Sequence, residues 1–214
     1  MTTLKDIQRR VGVTPDGLWG PATADAIWNA LPPEEPRELD KQAFYAAVRA
    51  ITGGLNDTQV ASIEAILNRT ASLPVQQTAY ILATAWHEAR FEPQREWGKG
   101  KGRPYAKNGK YGQSQYGRGL VQLTWDRNYE WADKRLGLNG ALLKDFDLAL
   151  RPDIAADVLI YGMLEGAFAS NGKPLGHYQK GDAFDYVKAR QTVNVMDKAA
   201  LIAGHAEKFE AALR

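Results

Sequence analysis

PVQQTAYILATAWHEA, residues 74–89, decides the fold class. A proline stands at its first turn, and residues 79–83 and 85–86 are apolar on every side, which predicts a helix buried all round rather than one lying on a surface. The uninterrupted run TAYILATAW falls short of the roughly 20 apolar residues that a bilayer span needs. A buried helix has to be covered by other elements, and the flanking sequence supplies them as helices. KQAFYAAVRAIT (41–52) stops at Gly53-Gly54, and NDTQVASIEAILNRTA (56–71) begins with Asn56 or Asp57 as N-cap. Further on, WDRNYEWADKRLG (125–137) and RPDIAADVLIYGMLEGAFAS (151–170) carry helical periodicity. DAFDYVKARQT (182–192) and DKAALIAGHAEKFEAAL (197–213) are expected as two closing helices. No long alternating pattern and no internal repeat occurs, so the expected class is mostly α.

The composition agrees with a globular chain. With 214 residues, 44% hydrophobic and 24% charged, there is enough material for one full domain and a small appendage. The seam is LPPEEPREL (31–39), whose prolines and charges lack apolar periodicity. Residues 1–31 are expected as a small module, 32–38 as a linker and 39–214 as the main domain. In the module, Leu4, Ile7 and Val11 of LKDIQRRVGV share one helical face. An Asp-Gly turn follows, and Pro21 opens a second helix, PATADAIWNAL. The beginning, MTTLKDIQRRVGV, has no apolar signal core, so the chain is expected to be made and held in the cytoplasm. Zero cysteines exclude disulfides, thiolate nucleophiles and thiolate metal sites. Carboxylate, imidazole and hydroxyl chemistry are left.

Two carboxylates stand at the end of the decisive helix, in TAWHEARFEPQREWGKG (84–100). Glu88 falls on the last turn, where desolvation and the negative end of the helix dipole both favour a protonated carboxyl, the state of a general acid. Glu96 lies past Pro93 beside Arg95 and Lys99, surroundings that favour an ionised base. A carboxyl pair pushed in opposite directions is how glycosidases divide the work. The same residues also fit an ordinary exposed helix end. Metal chemistry fits less well, because HEARF places phenylalanine where the second histidine of a zincin stands, and no metal or other cofactor is expected. From Arg95 to Arg118 there are seven basic residues against one acid, an excess of six. Such a loop is a solvated surface or a groove for an anionic polymer, with Trp97, Tyr105, Tyr111 and Tyr116 interleaved to stack on bases or sugars.

YGRGLVQLTWDRNY (116–129), with the His-Glu dipeptide about thirty residues earlier, resembles glycoside hydrolase family 19, chitinases whose bacteriophage members are peptidoglycan-cleaving endolysins. The family pattern runs HET, a second Glu, then YYGRGPIQLSWNYNY; here it runs HEA, Glu96, then QYGRGLVQLTWDRNY. The likeness covers about residues 40–210. It implies a lysozyme-like helical domain with Glu88 as proton donor, Glu96 as the base that activates water, and Thr124 holding that water. Gln122 and Asn128 match positions that bond N-acetyl groups and sugar hydroxyls, and Tyr116 one that lines the cleft. In QTVNVMDKAALIAG, Asn194 matches a sugar-binding asparagine, although Val195 replaces the glycine that follows it in the family. DGLWGPATADAI resembles the signature of a small peptidoglycan-binding module, which implies Asp16 and Trp19 at a wall-binding surface.

Together the two resemblances imply a monomeric phage endolysin, stored in the host cytoplasm until a holin releases it to the periplasm and cell wall. Its partner would be peptidoglycan, with no nucleic acid and no membrane insertion, and its target the β-1,4 bond between N-acetylmuramic acid and N-acetylglucosamine. A chitinase, a wall-binding protein that has lost activity, and a nucleic-acid binder using the basic loop are the alternatives.

Overall fold

A computed structural model of the chain describes residues 2–18, 22, 23, 26, 30, 39–169 and 171–214. Two compact units divide it, Met1–Pro36 and Arg37–Arg214. The described residues are mostly helical, and no described helix is long and apolar enough to cross a membrane.

In the first unit, helix α1 (Leu4–Arg10) starts with a capping box in which Thr3 and Asp6 each bond the other's backbone N–H. Its buried residue is Gln8, not the Leu4, Ile7 and Val11 face that periodicity predicts, and Ile7 is exposed. The reason is hydrogen bonding. The Gln8 amide N–H₂ reaches Asp16 Oδ1 (2.7 Å), the Leu18 carbonyl (2.9 Å) and Thr23 Oγ1 (3.1 Å), and its carbonyl accepts from Gly17 N–H (2.8 Å). A buried amide so satisfied replaces apolar burial as the organiser of a short loop. Of the helix expected from Pro21, residues 22, 23, 26 and 30 are described and are helical; Trp19 and the linker 32–38 lie outside the described residues.

The second unit is built around a central helix. Helices α2 (Lys41–Thr52) and α3 (Asp57–Arg69) take the expected punctuation. Gly53 closes α2 at φ 81° and Asn56 caps α3 in a box with Gln59, while Asp40, which the sequence reading did not single out, caps α2. Helix α4 (Val75–Ala89) has twelve of its fifteen residues buried, so the all-round apolar pattern was a reliable signal of depth. It ends where Arg90 and then Phe91 adopt left-handed backbone (φ 53° and 60°). There the two-residue strand β1 (Gln94–Arg95) begins, antiparallel to β2 (Arg118–Gly119), with Gln94 opposite Gly119 and Arg95 opposite Arg118.

Helices α5 (Asp126–Arg135), α6 (Ala141–Lys144) and α7 (Pro152–Glu165) follow, with a 3-10 turn over Phe146–Leu150. Helix α7 stops at Gly166 (φ 68°), earlier than the pattern to residue 170 indicates. The closing helix α8 (Ala199–Leu213) makes the most extensive helix pairing of the unit, with α4, and α3 pairs with α7. One apolar cluster surrounds α4. A second joins Leu123, Tyr129, Leu142, Phe146, Ile154 and Val158, where the rings of Tyr129 and Phe146 stack 3.8 Å apart.

The expected helix over 182–192 is absent. Strand β3 (Gln179–Lys180) turns at Gly181 (φ 57°) into β4 (Ala183–Phe184), and Lys188–Thr192 forms a 3-10 turn. Tertiary packing overrides propensity here. Phe184 and Tyr186 pack on Tyr80 of α4, and Arg190 is drawn inward.

Gly119 sits where the second strand meets the body of the unit. Its φ is 85°, and an added Cβ would lie 2.8 Å from the Ala149 carbonyl oxygen. Gly119→Ala should therefore destabilise by about 1–3 kcal/mol, while Gly176→Ala, in open space, stays within about 0.5 kcal/mol of wild type. Urea denaturation of both variants checks this; equal midpoints would remove the steric role of Gly119.

Candidate active site

Glu88 is carried on the last turn of α4 and is only partly buried, with 21% of its side chain exposed. Its surroundings are not purely apolar. Arg190, 2% exposed, donates from Nη1 to Glu88 Oε1 at 2.6 Å and from Nε to the Asp197 carbonyl at 2.9 Å. The sequence-based expectation for Glu88 counted burial and the helix end and left this guanidinium out. Among the described residues nothing bonds Oε2, so one carboxyl oxygen is fixed and the other is left without a hydrogen bond. Burial holds the imidazole of neighbouring His87 below its ordinary range, against the pull of Glu88, so His87 adds no charge there at neutral pH.

Glu96 follows β1 and is held by a different device. Its N–H donates to the Gly117 carbonyl (2.7 Å), Gly117 N–H donates back to Oε2 (3.1 Å), and Tyr105 Oη donates to Oε1 (2.8 Å). The bond to Glu96 is the leading cause that raises the Tyr105 pKa, which keeps the phenol a donor. Each carboxylate oxygen retains acceptor capacity after one such bond. Gly100 permits the contact, since a Cβ there would lie 2.6 Å from the Tyr105 ring.

Arg95 does not attend Glu96 as expected: its Nη2 pairs with Asp147 Oδ2 at 2.6 Å, and Lys99, exposed, makes no ion pair among the described residues. The strand alternation that puts Glu96 on one side puts its neighbour on the other. Asp147 Oδ1 accepts from Arg118 Nε at 2.6 Å. Arg118, 5% exposed, also bonds the carbonyls of Ser114 and Tyr116, both at 3.0 Å. Asp147 thus ties together the residue before Glu96 and the residue after Gly117. Of the seven basic residues in the loop, Arg95, Lys110 and Arg118 are ion-paired, so the field is weaker than the count of charges implied.

Gln122, Thr124 and Asn128 line one cleft of about 330 Å³, with Arg127, Phe168 and Val193 among its other walls. Thr124 Oγ1 donates to the Gln122 carbonyl (2.7 Å), which leaves its lone pairs for a further donor, and Asn128 Nδ2 donates to the Thr124 carbonyl (2.7 Å). Neither Glu88 nor Glu96 lines this cleft. Glu96 is linked to it through Gly117, whose added Cβ would meet Gln122 Oε1 at 2.8 Å, and Glu88 through Arg190, three residues before Val193.

Tyr116 is a correction. It is 5% exposed with its ring 3.8 Å from the Arg118 guanidinium, so it braces the loop and has little face to offer a ligand. Asn194 is exposed and its Oδ1 accepts from Val195 N–H (2.8 Å). Val195 has no left-handed backbone, so the missing glycine requires no strained conformation there. Asp16 is exposed, yet its Oδ1 is engaged by Gln8 and by Leu18 N–H (2.8 Å), a loop-holding role. Trp19 lies outside the described residues. Among those described, no group of three or more histidine or carboxylate side chains converges as a metal site.

Sequence reasoning missed Arg190 and Asp147, and it read Tyr105 as a stacking ring where the structure uses it as a donor to Glu96. The spacing of Arg190 from Glu88, 102 residues, carries no local signal. Compared with family models, curated proteins and solved structures, the chain shows no match.

Burial opposes ionisation of Asp147, but the hydrogen bonds and charges of Arg95 and Arg118 outweigh it and hold the carboxyl below its ordinary range. A depressed carboxyl contributes stability above its unfolded value, near pH 4, and loses it as pH falls through the folded value. Asp147→Asn should therefore lower the melting temperature at neutral pH, and the gap to wild type should close on acidification below about pH 4. A gap that stays constant from pH 7 to pH 2.5 would mean that the charge of Asp147 does not matter.

Proposed function

We propose that the chain is a glycoside hydrolase of the lysozyme-like, chitinase-like kind that cleaves the β-1,4 bond between N-acetylmuramic acid and N-acetylglucosamine in peptidoglycan. The observation that carries this is the contrast between the two carboxyl groups. Glu88 has one oxygen oriented by Arg190 and no bond to the other among the described residues, so Oε2 is the atom that meets a leaving oxygen; its role as proton donor follows from the family resemblance. Glu96 is held on both oxygens by Tyr105 and Gly117 and retains capacity to take a proton from water. In this reading Thr124 steadies that water, Gln122 and Asn128 bond the sugar, and Asn194 offers an amide at the far rim. The mechanism inverts the anomeric centre.

Its biological role is that of a phage endolysin, held in the host cytoplasm and delivered to the wall after holin action. The first unit binds the wall, and the chain works as a monomer without a cofactor. Four of the seven basic residues of the loop, Lys99, Lys101, Arg103 and Lys107, make no ion pair among the described residues, which supports an anionic glycan over neutral chitin.

Glu88→Gln keeps volume and removes the transferable proton, so turnover on purified walls should fall by about 10² to 10⁴; because it also takes the charged partner from buried Arg190, retention of the fold is checked in parallel by circular dichroism. Mass analysis of the released muropeptides should find reducing N-acetylmuramic acid ends, and proton NMR in the first minutes an initial α-anomer. Free stem peptides, or an initial β-anomer, would sink the assignment.

The division at residue 36 generates a further expectation. Residues 37–214 alone should hydrolyse soluble glycan fragments as the full chain does and lose efficiency on intact walls, where tethering raises local concentration. Equal retention of both forms on insoluble peptidoglycan would take binding away from the first unit.

A further inference from the structure

We propose that Trp97, with Lys99, Lys101 and Arg103, forms a platform beside Glu96 that stacks a sugar ring and selects glycan strands bearing carboxylates; this rests on the hydrolase reading above. Trp97 is 97% exposed, whereas Trp86 of the core is 9% exposed. An indole left in water forfeits the largest apolar burial a side chain can make, so its position calls for a ligand. The turn that presents it is ordered by backbone bonds: Lys99 N–H to Glu96 O (2.9 Å), Lys101 N–H to Gly98 O (3.0 Å) and Arg103 N–H to Gly100 O (2.8 Å). Lys99 adopts φ 50°, a conformation uncommon for any residue but glycine, asparagine or aspartate. A platform so fixed loses little freedom on binding.

Charge identifies the occupant. Lys99, Lys101 and Arg103 are exposed and make no ion pair among the described residues, unlike Arg95, Lys110 and Arg118 of the same loop. A pyranose offers an apolar C–H face to the indole, and the lactyl and stem carboxylates of a wall glycan offer anions to the cations. Nucleic acid would also stack and pair, but Trp97 directly follows Glu96, the base of the hydrolase reading, where a glycan strand has to pass. The favoured ligand is therefore an anionic glycan.

The test uses the full chain carrying Glu88→Gln, so that ligands survive. Binding is measured to stem-bearing glycan strands from sacculi, to the neutral N-acetylglucosamine hexamer and to short duplex DNA. Adding Trp97→Ala should weaken binding of both glycans about tenfold. Adding Lys99→Gln, Lys101→Gln and Arg103→Gln should weaken only the stem-bearing strands, and less so as salt rises.

Unchanged affinity in the Trp97→Ala chain, equal effects of the triple variant on both glycans, no glycan binding at all, or tighter binding of DNA would each overturn the platform. Hydrolysis of sacculi by the unaltered chain is measured in parallel. Binding that depends on Trp97 without hydrolysis would sink the hydrolase reading alone, and hydrolysis with Trp97-independent binding would sink the platform alone.

Discussion

A helix buried on twelve of its fifteen residues can carry a carboxylate on its last turn only if something answers the charge. Arg190 is that answer, and it is under the same compulsion, since a guanidinium 2% exposed cannot be left alone. Breaking a buried pair by removing one partner typically costs about 3–5 kcal/mol, whereas replacing both by apolar groups is often neutral. Stability alone therefore does not account for an ion pair at the end of an apolar helix. Its effect is to keep a polar, partly exposed carboxyl on the most rigid element of the unit. It also pins the 3-10 turn Lys188–Thr192 to that helix, and with it Val193 in the cleft wall.

Glu96 is held by weaker elements joined in series. Two strands of two residues have negligible stability by themselves. Rigidity reaches them from Asp147, which binds Arg95 on one strand and Arg118 on the other, and from the stacked Tyr129 and Phe146 beneath. Gly117 then serves twice, bonding Glu96 through N–H and carbonyl while leaving room for Gln122. The two carboxyl groups thus rest on independent supports, one a helix and one a braced hairpin.

What was legible in the sequence is what local chemistry determines. Asn56 and Gly53 mark helix ends by satisfying backbone groups within a few residues, and the apolar run of α4 announces its own burial. The misses share a cause in long-range contact. Gln8 is buried because a loop eight to fifteen residues away supplies its partners, and 182–192 is not a helix because Phe184 and Tyr186 are bound to Tyr80. Tyr116 shows the limit of motif position, which says where a residue falls in a pattern but not which face of its ring is already taken.

Backbone strain separates the site from the scaffold. Seven non-glycine residues among those described have positive φ, and Arg90, Phe91, Lys99, Gln122 and Trp125 lie within three residues of Glu88, Glu96 or Thr124. Such conformations cost about 1–3 kcal/mol each and persist only where surrounding contacts over-determine them. The contacts are present: Phe91 N–H bonds the Ala85 carbonyl, Lys99 N–H bonds the Glu96 carbonyl, and the Gln122 side chain bonds the Gln94 carbonyl (3.2 Å). Local preference is violated around Glu88, Glu96 and Thr124 and obeyed along the helices that carry them, which is the distribution expected when a regular scaffold is bent to aim a few side chains.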